Sequence, residues 1–237
     1  MKYIFLYNDS FISLMNLINI LINKNIKPLN IKNSKYSPTL FDEIIKLEID
    51  EDIDVFQDII DNTNSYIFKL IYYVFLSNDD NKELIIYYFY KNALRYKNKI
   101  VNMRNLKCVQ SVLKISQYVS RENHKYKGFV RFRELENKIL YAEIEPVNNI
   151  LEILSNHFKN RLRGDYWIIK DVKRNIVSVY DKKEFSLIDG DNFKLYTDNT
   201  SEDELMIKDL WINFYNTIGI EARKNDRCRM NFMPKRY

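Results

Sequence analysis

The chain has 237 residues, 46% of them hydrophobic, a formal net charge of +5, and only four glycines and four prolines. That length fits one domain, or one domain with a lobe, and supplies ample apolar material for a core. Scarce Gly and Pro argue against a turn-rich all-β fold, and two distant cysteines, Cys108 and Cys228, make neither a disulfide framework nor an iron–sulfur pattern.

Residues 1–100 carry 12 basic and 13 acidic side chains, so the positive surplus lies wholly in the later part of the chain. A basic half suits a polyanionic partner, against the competing reading of a solvated, mixed surface. No segment reaches the roughly 18–20 apolar residues of a membrane span. The opening MKYIFLYNDSF lacks a signal-peptide cleavage pattern. A cytoplasmic protein with no membrane partner is expected.

In chain order, Tyr3–Tyr7 reads as a strand and Ser10 as the cap of a helix to Asn23, since Phe11, Leu14, Met15, Ile18, Leu21 and Ile22 recur at helical spacing. Pro28, Pro38 and their Asn and Ser neighbours predict a loop over residues 24–40. Residues 44–49 alternate as a strand, and Glu51, Asp52 and Asp54 suit the start of a helix near 51–61. Residues 64–122 form three apolar stripes broken near 78–81 and 102–105, a nearly all-helical stretch whose aromatics are expected to fill core and grooves.

Gly128 is expected to end that region. Residues 129–133 and 139–144 then alternate around a turn at Glu136, Asn137 and Lys138, a hairpin with Arg131, Arg133, Glu143 and Glu145 on one face. Asn148 or Asn149 caps a helix that Gly164 closes. A second hairpin joins 167–170 to 176–180, with an edge strand at 185–188. A last helix is expected near 202–217, followed by a tail with six basic and two acidic residues over 221–237. The expected fold is α+β: one domain over 1–237, with a mainly helical lobe at 1–123. The rest, 124–237, holds hairpins, helices and the basic tail, in a mostly antiparallel sheet that the N-terminal strand could join.

No P-loop, GxGxxG or HExxH is present, and two histidines without paired cysteines argue against a metal centre; no cofactor is expected. The chemistry-bearing candidates are therefore few. Arg131 and Arg133 with Glu143 make either a phosphate-positioning surface with a carboxylate base or a cross-strand salt-bridge ladder. His157 and Arg161, one helical turn apart, suit a phosphate site with His157 as general base, or a structural His beside an ion-paired Arg. Asp171 is a candidate inward acid and Arg174 a candidate phosphate ligand, with turn chemistry the alternative for this hairpin. Lys235 and Arg236, among the aromatics of the tail, suit a nucleic-acid backbone.

The stretches HKYKGFVRFRELENKILYAEIEP (124–146), ILSNHFKNRLRGDYWIIKDVKRNIVSVYD (153–181) and IEARKNDRCRMNFMPKRY (220–237) carry a resemblance. The openings FLYNDSFISLM and PTLFDE are similar too. The chain resembles a bacterial family of unknown function described as probable DNA metabolism or repair proteins. The resemblance implies a partner, a radical S-adenosylmethionine protein encoded alongside, and in some members a fused uracil-DNA-glycosylase-like domain. Neither partner's motifs occur in this chain. In that family the tail continues past the position of Tyr237, which implies a further short segment. The expected function is a DNA metabolism or repair accessory that binds nucleic acid beside the radical enzyme. The alternatives are a nucleotide- or lesion-processing enzyme using His157 as base with Glu143 or Asp171 as a second acid or base, and a protein-interaction module.

Overall fold

The computed structural model describes residues 3–38, 43–46, 55–136 and 138–193. The chain divides into two units, 1–120 and 121–237, and the boundary falls inside a long helix.

The first unit is organised on β1 (Ile4–Tyr7), whose four residues are all buried. It lies at the centre of a three-stranded parallel sheet between β2 (Asn30–Asn33) and β3 (Ile44–Lys46). Parallel neighbours need a crossover, and α1 (Phe11–Asn23) supplies the one from β1 to β2. The Ser10 hydroxyl accepts from the Ser13 N–H and fixes where that helix starts. Four more helices follow: α2 (Val55–Asn62), α3 (Ser65–Leu76), α4 (Lys82–Tyr96) and α5 (Lys107–Phe129). The apolar stripes seen in sequence meet in one core containing Leu14, Ile18, Ile67, Ile71, Tyr87 and Tyr90. Tyr87, Phe89 and Tyr90 are fully buried, so most aromatics here are core fillers.

The second unit is a five-stranded sheet in the order β4-β5-β6-β7-β8. Its strands are β4 (Arg133–Glu134), β5 (Leu140–Ile144), β6 (Trp167–Asp171), β7 (Ile176–Tyr180) and β8 (Phe185–Asp189). Three pairings are antiparallel; β5 and β6 run parallel, joined through α6 (Leu151–Arg161). One sheet face packs against α6: Ser155 donates to Ser178 at 2.7 Å, and Trp167 stacks on Tyr180. Gly190 is required after β8. A Cβ there would meet the Asn175 side chain at 2.1 Å and its carbonyl oxygen at 2.8 Å.

The fold is α+β, with a mostly antiparallel second sheet. Several local expectations are corrected. The N-terminal strand centres its own parallel sheet and does not join the hairpins. The expected loop at 24–40 contains β2. Gly128 lies within α5, which continues to Phe129, and the Val130 N–H still reaches the Tyr126 carbonyl at 3.0 Å. The first hairpin arm is thus reduced to Arg133 and Glu134. Ile150, with no side-chain capping bond, occupies the N-cap position of α6 in place of Asn148 or Asn149, and the helix closes at Leu162, ahead of Gly164. The expected helix at 202–217 and the basic tail, with Lys235 and Arg236, lie outside the described residues.

Candidate functional site

Strand register decides which of the candidate side chains can meet. Arg133 pairs with Tyr141, and Glu143 pairs with Lys170. Successive residues of a strand point to opposite faces, so Tyr141, Glu143 and Lys170 share one face. The Arg133 guanidinium lies 5.0 Å from the centre of the Tyr141 ring, and the Tyr141 hydroxyl donates to Glu143 at 2.7 Å. Asp171 pairs with Ile144 on the other face, the one packed against α6. Glu143 and Asp171 are separated by the thickness of the sheet and cannot act on one substrate atom.

Asp171 is fully buried and its carboxylate is committed. It accepts from the Arg174 backbone N–H at 3.1 Å and from Arg174 Nη1 at 2.9 Å. The same guanidinium donates to the carbonyls of Pro146 and Val147. Opposite it, buried Glu122 accepts from the N–H groups of Val147 and Asn148, each at 2.9 Å, and from the Asn148 side-chain amide. The β5–α6 connection is therefore held by its carbonyls from Arg174 and by its N–H groups from Glu122. Loops usually leave such groups to water; here buried Glu122 and partly buried Arg174 satisfy them. Arg174 is engaged in this clamp, which gives it a structural task in place of the phosphate contact considered from sequence.

His157 is half-buried on α6, edge-on to Phe158. Burial holds its pKa below the usual histidine value, and the nearby charges of Lys127 and Arg161 push the same way. The imidazole is neutral at pH 7, the form a general base needs. Its Nε2, however, is buried with no hydrogen-bond partner. Arg161, one turn on, is exposed, as is Arg131 between α5 and β4.

The last turn of α6, the start of β6 and the β7–β8 turn come together at one end of the second unit. Trp167 pairs with Tyr180, and Lys159 on α6 forms an ion pair with Glu184. Arg161 and Arg163 emerge here, both exposed, and Arg163 Nε donates to the Asn160 carbonyl. Tyr166 is 49% exposed, with Lys182 Nζ 4.4 Å from its ring centre. The turn is fixed by Asp181, which accepts from the N–H groups of Lys183 and Glu184. Those bonds lower the Asp181 pKa. Tyr166 and Lys182 carry no signal in sequence, because only the β6–β7 register brings them together. Among the described residues, no three of His, Cys, Asp and Glu gather as a metal-ligand group, and no helix is long and apolar enough to cross a membrane.

No curated protein and no solved structure matches the chain. A family model does match, over residues 80–237, which includes α4, α5 and the whole described part of the second unit. The chain thus belongs to the DUF4130 family, a domain of unknown function.

Proposed function

We propose that the protein is a nucleic-acid-binding accessory factor of DNA metabolism that works beside a partner enzyme. The observation that carries this reading is the end of the second unit, where the exposed Arg161 and Arg163 leave α6 just ahead of the exposed Tyr166, whose ring Lys182 faces at 4.4 Å. Among the described residues neither Arg161 nor Arg163 has an ion-pair partner, so both can meet phosphates. An aromatic face among such cations suits an unpaired base, since stacking contributes about 1–3 kcal/mol per base with little sequence preference. The resemblance described from the sequence supplies the partner, a radical S-adenosylmethionine protein, whose cluster chemistry would remain in that protein. The acid–base enzyme reading gains no comparable support: Asp171 is held by Arg174, and Glu143 lies on the sheet face away from α6, which carries His157.

Fluorescence anisotropy with a labelled single strand tests the reading. Arg161→Glu with Arg163→Glu should weaken binding in low salt by at least about tenfold, Tyr166→Ala should weaken it by a similar factor, and Arg133→Ala should leave it nearly unchanged. Parent-like binding by the double Glu variant refutes the assignment.

A further inference from the structure

A separate site is built in the first unit, between α3 and α5. Tyr66, Lys69, Leu70 and Tyr73 stand at i, i+3, i+4 and i+7 on one face of α3. Gln110, Leu113, Lys114 and Gln117 repeat the same spacing on α5. The two faces line an open cleft of about 710 Å3, to which Arg104 also contributes. Leu70 and Leu113 contribute its apolar part. Lys69, Arg104 and Lys114 are exposed around them.

The charge in this cleft is of one sign. Among the described residues that line it there are three cations and no carboxylate. None of the three cations has an ion-pair partner among the described residues. Around them are neutral groups able to read a ring edge: Gln117, Ser120 and the Tyr73 hydroxyl, whose pKa burial raises, so that it remains a donor. Lys69 Nζ sits 5.5 Å from the centre of the Tyr73 ring, and Tyr66, also lining the cleft, is 51% exposed.

We infer that this cleft binds a nucleotide, either free or as one residue of a single strand. Positive charge collected in a concave, partly apolar wall focuses potential on an anion. Arg and Lys bind phosphate oxygens, Arg in fork geometry and Lys as a point charge. The apolar floor and the Tyr66 ring suit a flat base, and the volume lies within the roughly 300–1,000 Å3 of small-ligand sites. An anion without a ring would leave Leu70, Leu113 and Tyr66 without a purpose in the site. The inference does not depend on the arginine edge of the second unit. The whole α3 contribution also lies ahead of the family-matched range.

Calorimetric titration of the full chain tests it, with a deoxynucleoside triphosphate, inorganic pyrophosphate and a short oligo-thymidylate as probes. Lys69→Ala, Arg104→Ala and Lys114→Ala should each weaken nucleotide affinity about tenfold, the loss expected for one charged hydrogen bond. Tyr66→Ala should weaken nucleotide but not pyrophosphate. Arg161→Glu with Arg163→Glu should leave the triphosphate affinity unchanged, which separates this site from the nucleic-acid edge. The substituted side chains are exposed, and an unchanged melting midpoint confirms folding. In the Arg161→Glu, Arg163→Glu background, tighter binding of the oligonucleotide than of the triphosphate identifies a strand as the source; the reverse identifies a free nucleotide. Absence of nucleotide binding, or equal affinity for pyrophosphate with no effect of Tyr66→Ala, overturns the inference.

Discussion

Arg174 illustrates how a side chain's neighbours decide its role. As a basic residue at a hairpin turn it is a reasonable phosphate ligand, but its guanidinium contacts Asp171 and two carbonyls. Asp171 is fully buried, so removing the Arg174 side chain leaves its carboxylate with no countercharge and only the residue 174 backbone N–H. Arg174→Ala should cost about 3–5 kcal/mol in urea unfolding. Arg161→Ala, at an exposed position, should change stability by no more than about 0.5 kcal/mol. Similar losses for both would refute the clamp. His157 gives a pH signature. Its folded pKa lies below 6.5, so just under that pH the unfolded chain binds the proton first. The stability linked to it is complete above pH 6.5 and is lost as pH falls through the lowered folded value. His157→Gln should flatten this part of the urea midpoint–pH profile; an unchanged slope would mean that His157 is solvated like any surface histidine.

At the scale of elements, the sequence revealed local order better than long-range pairing. The helix α1 was legible because its cap and its apolar spacing agree, and the β6–β7 hairpin because alternation and turn residues coincide. The strand β2 was not, since NIKN holds one buried apolar residue, Ile31, and gains its partner only through a parallel crossover. Gly128 was misleading as a helix stop: a mid-helix glycine costs only about 1 kcal/mol, and α5 continues past it. The candidate site was legible in residue type but not in facing, because the β5–β6 register that separates Glu143 from Asp171 is fixed through α6. The packing of α4 against β1 carries its own test. Glu83, in the first turn of α4, is buried and accepts from the Tyr7 hydroxyl at 3.0 Å. Burial raises its pKa above 4.5, so the folded chain holds the proton longer than the unfolded one. Stability therefore falls as pH rises from 4.5 through the raised folded value. Glu83→Gln keeps an acceptor for Tyr7 and should be more stable than the parent at pH 7, with a flatter thermal-melting profile. Parallel profiles for the two proteins would contradict this.

For the whole molecule, each unit carries its own charged site: the α3–α5 cleft in the first, and the arginine–tyrosine edge in the second. The net charge of +5 is modest, so any nucleic-acid affinity must come from such local groupings and must respond to salt. Sequence composition pointed to a polyanionic partner, with contacts spread over the first hairpin, Arg161, Arg174 and the basic tail. In the structure, Arg133 on that hairpin instead covers the Tyr141 ring. The most direct measurement is the salt dependence of single-strand binding between about 50 and 200 mM salt, for the parent and for Arg161→Ala with Arg163→Ala. Two phosphate contacts at the edge predict that the slope of log K against log salt becomes shallower by about 1.4 in the double variant, at about 0.7 per contact on a single strand. An unchanged slope, or parent binding that does not respond to salt, would contradict the nucleic-acid reading.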